Sequence, residues 1–97
     1  MATFITLVRT TQKGIEDIKK SPARLEAAKQ AFKAMGGELI QFYLVLGRYD
    51  MVVIGEAPDD ETAAKLSLAI GSQGAVRTET MRAFTEEEYR KIISALP

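Results

Sequence analysis

The feature that most constrains the fold is a four-residue turn, Gly47-Arg48-Tyr49-Asp50, between two apolar segments at 39–46 and 51–54. Glycine adopts positive φ at little cost, and an aspartate can hydrogen-bond the backbone of its own turn. Two strongly apolar segments joined by such a turn predict a β-hairpin in the middle of the chain. The other elements must then be arranged around this hairpin.

Before the hairpin, the pattern predicts one strand and one main helix. Residues 3–10 are rich in β-branched side chains and predict a strand. Ser21-Pro22 predicts an N-cap followed by proline at the first helical position. An amphipathic stripe at three- and four-residue spacing follows and ends at Gly36-Gly37, which supplies the left-handed residue of a helix C-terminus.

After the hairpin, a second helix opens at residues 58–61, where acidic side chains favour a helix N-terminus, and closes between Gly71 and Gly74. Residues 75–83 predict a fourth strand, and its polarity places it at the sheet edge. Thr85-Glu86-Glu87-Glu88 is a capping box that starts a C-terminal helix.

The predicted element order is β-α-β-β-α-β followed by one helix. This order is that of an α+β, ferredoxin-like fold, in which a four-stranded antiparallel sheet carries two helices on one face. At 97 residues, the chain is expected to form a single domain over 1–97.

The two faces of this sheet are expected to differ. In the first hairpin strand, the even positions are wholly apolar and suit the helix-covered side: Ile40, Phe42, Leu44 and Leu46. The odd positions are mixed: Leu39, Gln41, Tyr43 and Val45. We expect the odd set to share an uncovered face with Phe4 and Val8. A face this apolar predicts a homo-oligomer, a dimer or larger, with the C-terminal helix contributing to the cover.

Composition excludes several kinds of chemistry. The chain has no cysteine and no histidine, which removes thiolate nucleophiles, disulfides, a histidine general base and the usual zinc ligands. We therefore expect no metal site and no cofactor. Catalysis, if there is any, must use Asp, Glu, Lys, Tyr or Arg side chains.

Charge and hydropathy argue against nucleic acid and membrane partners. Residues 1–33 carry a net charge of +4 and the remainder −4, but no aromatic side chains are interleaved among the bases. No apolar run approaches the roughly 20 residues of a membrane span, and no leader opens the chain. We expect a cytoplasmic protein.

Several segments together resemble the GYD-domain family of small prokaryotic α+β proteins. They are Phe4-Ile5-Thr6-Leu7, Ser21-Pro22 with Arg24-Leu25, Gly36-Gly37, Gly47-Arg48-Tyr49-Asp50, Ala57-Pro58-Asp59-Asp60, Val76-Arg77-Thr78-Glu79-Thr80 and Arg82-Ala83-Phe84-Thr85. Gly47, Tyr49 and Asp50 match the element that names the family. The resemblance implies a fold similar to that of the dimeric α/β-barrel proteins and implies no catalytic residue set.

Two groups of residues are candidates for ligand binding. The first is the uncovered face, with Thr6, Gln41 and Tyr43 joined from the last strand by Thr78 and Thr80 or, in the other register, by Arg77 and Glu79. The second is the turn, where Tyr49 and Asp50 form a polar pair beside Arg48. Turn chemistry and a polar subunit interface explain the same residues without a ligand.

Three functions remain open at this point. The first is a small-ligand-binding or regulatory module that uses the uncovered face. The second is a cofactor-free oxygenase or isomerase of the dimeric α/β-barrel type, for which analogy of fold is the support. The third is a purely structural assembly protein.

Overall fold

A computed structural model describes residues 1–97. The strands are β1 (Ala2–Thr10), β2 (Glu38–Leu44), β3 (Met51–Ala57) and β4 (Val76–Ala83). The helices are α1 (Gln12–Glu16), α2 (Ser21–Ala34), α3 (Asp60–Ser72) and α4 (Glu86–Ser94), with a 3₁₀ turn at Ile18–Lys20 between α1 and α2.

The four strands form one antiparallel sheet in the order β2-β3-β1-β4. The hairpin pairs β2 with β3, and β1 lies between β3 and β4. This is the predicted ferredoxin-like topology, and β4 lies at an edge as its polarity indicated. The α+β prediction is confirmed.

Helices α2 and α3 cover one face of the sheet, with α2 over β2 and α3 over β4. Gly55 of β3 allows α2 to approach closely, because a Cβ at this position would lie 2.6 Å from Cε2 of Phe32. The buried core is small and centres on Phe4, Ala57 and Ala63. We call the covered face the helix side and the opposite face the open face.

Helix α2 begins differently from the prediction. The 3₁₀ turn at Ile18–Lys20 continues directly into α2, so Lys20 occupies the N-cap position and Ser21 is already helical at φ −56° and ψ −42°. The prediction of Ser21 as the N-cap was wrong, whereas Pro22 does lie in the first turn. Gly36, at φ 83°, ends the helix as expected.

Strand β2 is shorter than the pattern predicted and is irregular. It ends at Leu44, and the register with β3 shifts between Leu39 and Gln41. Because the irregularity inserts a residue, Leu39 changes to the helix side, while Gln41 and Tyr43 remain on the open face. The even-and-odd prediction was therefore wrong for Leu39. It was also wrong that the helices cover Leu44 and Leu46, because Leu44 at the end of the strand is 73% exposed and Leu46 beyond it is 97% exposed.

Strand β1 presents the opposite face from the one expected. Thr6 pairs with Val53 on one side and Thr80 on the other, and all three contact the space beneath α2 and α3. Since alternate residues share a face, Phe4 and Val8 also lie on the helix side, where both are buried. The prediction that Phe4, Thr6 and Val8 belong to the open face was wrong.

The last two helices begin with side-chain caps. The Asp59 carboxylate accepts from the Thr62 N–H at 2.7 Å, and this hydrogen bond to the backbone lowers the pKa of Asp59. At α4, Thr85 and Glu88 form the predicted capping box. No helix in this chain has the length and apolar character needed to cross a bilayer.

Candidate functional site

The open face is an apolar band flanked by polar side chains. By strand alternation and register, its centre consists of Ile5, Leu7, Val52 and Ile54. Its flanks are Gln41 and Tyr43 on β2 and Glu79 and Met81 on β4. A central apolar area with a few polar groups at its rim is the usual composition of a recognition surface.

No helix covers this band. Its four central side chains are only partly buried, and the exposed fraction rises to 50% at Tyr43 and 45% at Met81 on the flanks. Helices α2 and α3 pack on the other side of the sheet. The open face is therefore apolar surface in contact with water in a single copy of the chain.

On the β2 flank, two of the predicted site residues contact each other. The Tyr43 hydroxyl donates to Oε1 of Gln41 at 2.7 Å, and both side chains are exposed. The pair presents the Gln41 amide N–H group and the remaining lone pairs of the Tyr43 oxygen to solvent. These groups can hydrogen-bond a ligand or a second subunit.

At the other edge, a cluster of Arg9, Tyr49 and Glu79 lies on the open face. The Tyr49 hydroxyl donates to Oε2 of Glu79 at 2.9 Å, and the Arg9 guanidinium lies 5.0 Å from the centre of the Tyr49 ring. Arg9 was not predicted as a site residue. Arg9 lies two residues after Leu7 on β1 and therefore on the same face. A correct assignment of the faces of β1 would have predicted its position.

Hydrogen bonds hold Asp50 in the turn and join it to the end of β1. Its carboxylate accepts from the Thr10 N–H at 2.8 Å, and its own N–H donates to the Val8 carbonyl at 2.9 Å. Its carbonyl accepts from the Val45 N–H at 2.9 Å, which closes the turn. Asp50 thus attaches the hairpin turn to the end of β1, while Arg48 beside it is exposed.

The threonines of the predicted site lie on the helix side. The Thr80 hydroxyl is 3.1 Å from that of Thr6 and 2.8 Å from that of Ser67 on α3. With Thr78, they line a mainly apolar cleft of about 150 Å³ between the sheet and the two helices. The register that places Arg77 and Glu79 on the open face is the one observed.

The eight predicted site residues therefore fall in three places. Gln41 and Tyr43 lie on the open face, and Thr6, Thr78 and Thr80 lie in the helix-side cleft. Arg48, Tyr49 and Asp50 lie in the turn. The Tyr49 hydroxyl contacts the open face by its hydrogen bond to Glu79.

Comparison with known proteins gives relatives along almost the whole chain. The "Glutamine synthetase and cystathionine beta-lyase binding protein" of Thermus thermophilus is 38% identical over 84 residues, which are 86% of this chain and 88% of the relative. The crystal structure of TTHA0845 from Thermus thermophilus matches with a TM-score of 0.56 and 28% identity, over 88% of this chain and 95% of that one.

A more distant likeness shows the fold alone. The leucine response regulatory protein of Mycobacterium tuberculosis matches with a TM-score of 0.65 at 17% identity, over 87% of this chain and 51% of that protein. The GYD domain family model matches residues 4–93, which include the turn at Gly47-Arg48-Tyr49-Asp50. The chain therefore belongs to the GYD domain family.

Proposed function

We propose that this protein is a non-catalytic binding and regulatory module that works as a homo-oligomer and uses the open face as its recognition surface. The observation that carries the proposal is the uncovered apolar band at the centre of that face. Ile5, Leu7, Val52 and Ile54 form a continuous apolar surface that only a second molecule can remove from water.

The flanks of the band support a specific contact. Gln41 and Tyr43 on one side, and the cluster of Arg9, Tyr49 and Glu79 on the other, supply hydrogen-bond donors, acceptors and charge. Polar groups around an apolar centre fix orientation and exclude wrong partners, while the centre supplies most of the free energy. A small ligand held on this face meets the same groups.

The relatives favour binding over catalysis. The Thermus thermophilus relative is named for binding two enzymes, and it matches most of this chain. The two carboxyl groups whose pKa values are lowered, Asp59 and Glu88, accept hydrogen bonds from backbone N–H groups at helix starts. They act as helix caps and lie apart from the open face.

The proposal is tested with a charge placed at the centre of the band. In Val52→Glu, a carboxylate lies between Leu7 and Tyr43 on neighbouring strands and would have to lose water on association. We expect sedimentation equilibrium to show an oligomer for the unaltered protein and association at least about 100-fold weaker for the variant, with unchanged circular dichroism.

A matched control is available on α3. Leu68 is 74% exposed, so Leu68→Glu introduces the same carboxylate at a surface outside the open face and should leave association unchanged. An unaltered protein that is monomeric at micromolar concentration contradicts the proposal. So does a Val52→Glu variant that associates as tightly as the Leu68→Glu control.

The small-ligand part has its own measurement. Native mass spectrometry of the oligomer purified without denaturant is expected to show added small-molecule mass. Tyr43→Ala, which removes the Tyr43–Gln41 hydrogen bond and an exposed ring, should reduce the bound fraction. An oligomer that carries no added mass, with or without the variant, leaves the open face as a protein-binding surface alone.

A further inference from the structure

Helix α4 has an apolar stripe that its own chain does not cover. Tyr89, Ile92, Ile93 and Leu96 are 57%, 45%, 47% and 61% exposed, and no residue of α4 is buried. The spacing of Tyr89, Ile92 and Ile93 places them on one face of α4, and Leu96 follows just after the helix ends at Ser94. Helix α4 makes no substantial packing contact with any other helix or with any strand.

Contacts at its first turn nevertheless stabilise α4. Its capping box satisfies N–H groups at the start, and Glu86 pairs with Arg90 at 2.8 Å one turn later. Arg82 at the end of β4 lies 4.4 Å from the Phe84 ring and 3.8 Å from the Glu88 carboxylate. These contacts hold the start of α4 at the end of the sheet, with its apolar stripe in water.

The accessible surface and the dimensions of a single copy are both larger than those of a self-contained domain of this size. The accessible surface is 6714 Å², whereas a self-contained protein of 10.7 kDa exposes about 5,500 Å². The radius of gyration is 14.6 Å, against about 12.5 Å for a compact domain of this length. The excess of roughly 1,200 Å² exceeds the roughly 800 Å² that each partner buries in a stable protein interface.

A second uncovered apolar group lies at the far end of the sheet. Leu44 is 73% exposed at the end of β2, and Leu46 is 97% exposed just before the turn. Leu44 pairs with Met51, which pairs with Val8 near the end of β1, so Leu44 lies on the helix side at the β2 edge of the sheet, where a helix of a second copy can reach it from the end of the sheet. We call Leu44 and Leu46 the hairpin leucines.

Helix α4 leaves the sheet at the opposite end from the hairpin leucines. It follows Ala83, which pairs with Thr3 at the start of β1. Val8 lies five positions after Thr3 in β1, which is about 17 Å along an extended strand. The molecule is 52 Å long in its largest dimension, and α4 makes no substantial contact with the sheet or with the other helices.

We propose that α4 is an exchanged arm whose apolar stripe packs on the hairpin leucines of a second copy of this chain. The inference rests on the proposed self-association through the open face and adds the partner contact that α4 makes. Because β4 and β2 lie at opposite edges of the sheet, the axis that joins α4 to the hairpin leucines lies between the two open faces and runs diagonally to the strands, which brings diagonally opposite corners of the two sheets together. Each copy then gives one α4 and receives one, which makes the contact reciprocal and closes the assembly.

The first test places a carboxylate on each face of α4. Ile93→Glu charges the apolar stripe, and Ser94→Glu introduces the same group one residue later on the polar face, in the same last turn of the helix. We expect association to weaken at least about 10-fold in Ile93→Glu and to stay unchanged in Ser94→Glu, measured by sedimentation equilibrium. If Ile93→Glu and Ser94→Glu associate equally tightly, the proposal that α4 is an exchanged arm is wrong.

The second test locates the contact. Benzoylphenylalanine replaces Tyr89 in a mixture of ¹⁴N- and ¹⁵N-labelled full-length chains, and irradiation is followed by mass spectrometry of the cross-linked peptides. Cross-links between isotopically different chains that join α4 to residues 43–49 are expected. Cross-links confined to single chains, or joining α4 to another part of the second copy, overturn the proposal.

The two proposals fail in distinguishable ways. If Val52→Glu dissociates the oligomer while Ile93→Glu does not, the open face is the interface and the arm is wrong. If the arm cross-links as expected but Val52→Glu leaves the oligomer intact, the open-face function is wrong and α4 alone holds the copies together. A monomeric unaltered protein overturns both.

Discussion

The helix side and the open face of the sheet are made by the same strands and differ in cover rather than in hydrophobicity. Phe4 and Val8 on one side, and Ile5 and Leu7 on the other, alternate along β1 and are equally apolar. Helices α2 and α3 bury the first pair, and nothing in the chain buries the second. Folding stability is therefore expected to depend on the helix side, and association on the open face.

The helix side is itself incompletely filled. A cleft of about 150 Å³ remains beneath the helices, and only nine of 97 residues are buried, so packing there leaves little reserve of stability. The hydroxyl groups of Thr6, Thr80 and Ser67 hydrogen-bond one another, which satisfies polar groups beside an apolar layer. The open face, by comparison, leaves its polar groups at the rim and its apolar groups in water.

The largest effect is expected for Leu66→Ala on the helix side. Leu66 on α3 is 2% exposed, so truncation removes buried methyl groups and enlarges the cleft. We expect a loss of about 3 kcal/mol in the free energy of unfolding, measured by urea denaturation at fixed protein concentration.

Leu68→Ala, at an exposed site on the same helix, is the control and should cost under about 0.5 kcal/mol. Association of the still-folded Leu66→Ala protein is expected to match that of the unaltered chain. A direct loss of association without loss of stability would break the division of roles between the two faces.

An intermediate effect is expected for Asp50→Ala in the turn. The change removes the acceptor of the partly buried Thr10 N–H and should destabilise the protein by about 1–2 kcal/mol. Hydrogen exchange at the Thr10 amide is the direct measurement. Asp50→Asn keeps an acceptor oxygen and should recover part of the loss. Reduced ligand binding with full stability would instead place Asp50 in a binding site.

A smaller and more local effect is expected for Thr85→Ala. Loss of an N-cap hydroxyl costs about 1 kcal/mol, and here the cost falls on α4, which packs on little else in its own chain. Hydrogen exchange should accelerate in α4 and stay unchanged in β1. Faster exchange throughout the sheet would show that α4 contributes to the stability of the sheet in its own copy.

The smallest effect is expected on acidification below pH 4.5. The Thr85 backbone N–H hydrogen-bonds the Glu88 carboxylate and lowers the pKa of Glu88 below its usual value of 4.5. Because the folded-state pKa is the lower one, the stabilisation is fully present above pH 4.5 and is lost as pH falls through the depressed pKa. Carboxyl chemical shifts and α4 exchange, followed from about pH 5 to about pH 2.5, measure it, and Glu88→Gln should flatten the dependence.

Local patterns were sufficient for the elements and for their order. The β-branched run of β1, the glycine pair after α2 and the capping box of α4 each act within a few residues, so their structure follows from local backbone chemistry. The Ser21 cap is the exception, because the preceding 3₁₀ turn extends the helix by contacts that the Ser-Pro pattern does not show.

The candidate site could be predicted only in part. The Gln41 and Tyr43 positions follow from alternation along β2, but the irregularity at Leu39 and Gln41 is a property of the pairing with β3. Assigning β1 to a face required knowing which residue pairs with Thr6, and a shift by one residue exchanges the faces. Arg9 was missed for the same reason.

The sequence by itself determined the element order, the ferredoxin-like topology, the absence of thiol and imidazole chemistry, and membership of a family. Those properties depend on composition and on periodicities that act over a few residues. Only the tertiary structure decided which apolar face α2 and α3 cover, how Tyr49 meets Glu79, and that α4 stands apart from the sheet. Each of these depends on strand register and helix placement, which are set by contacts between residues far apart in the chain.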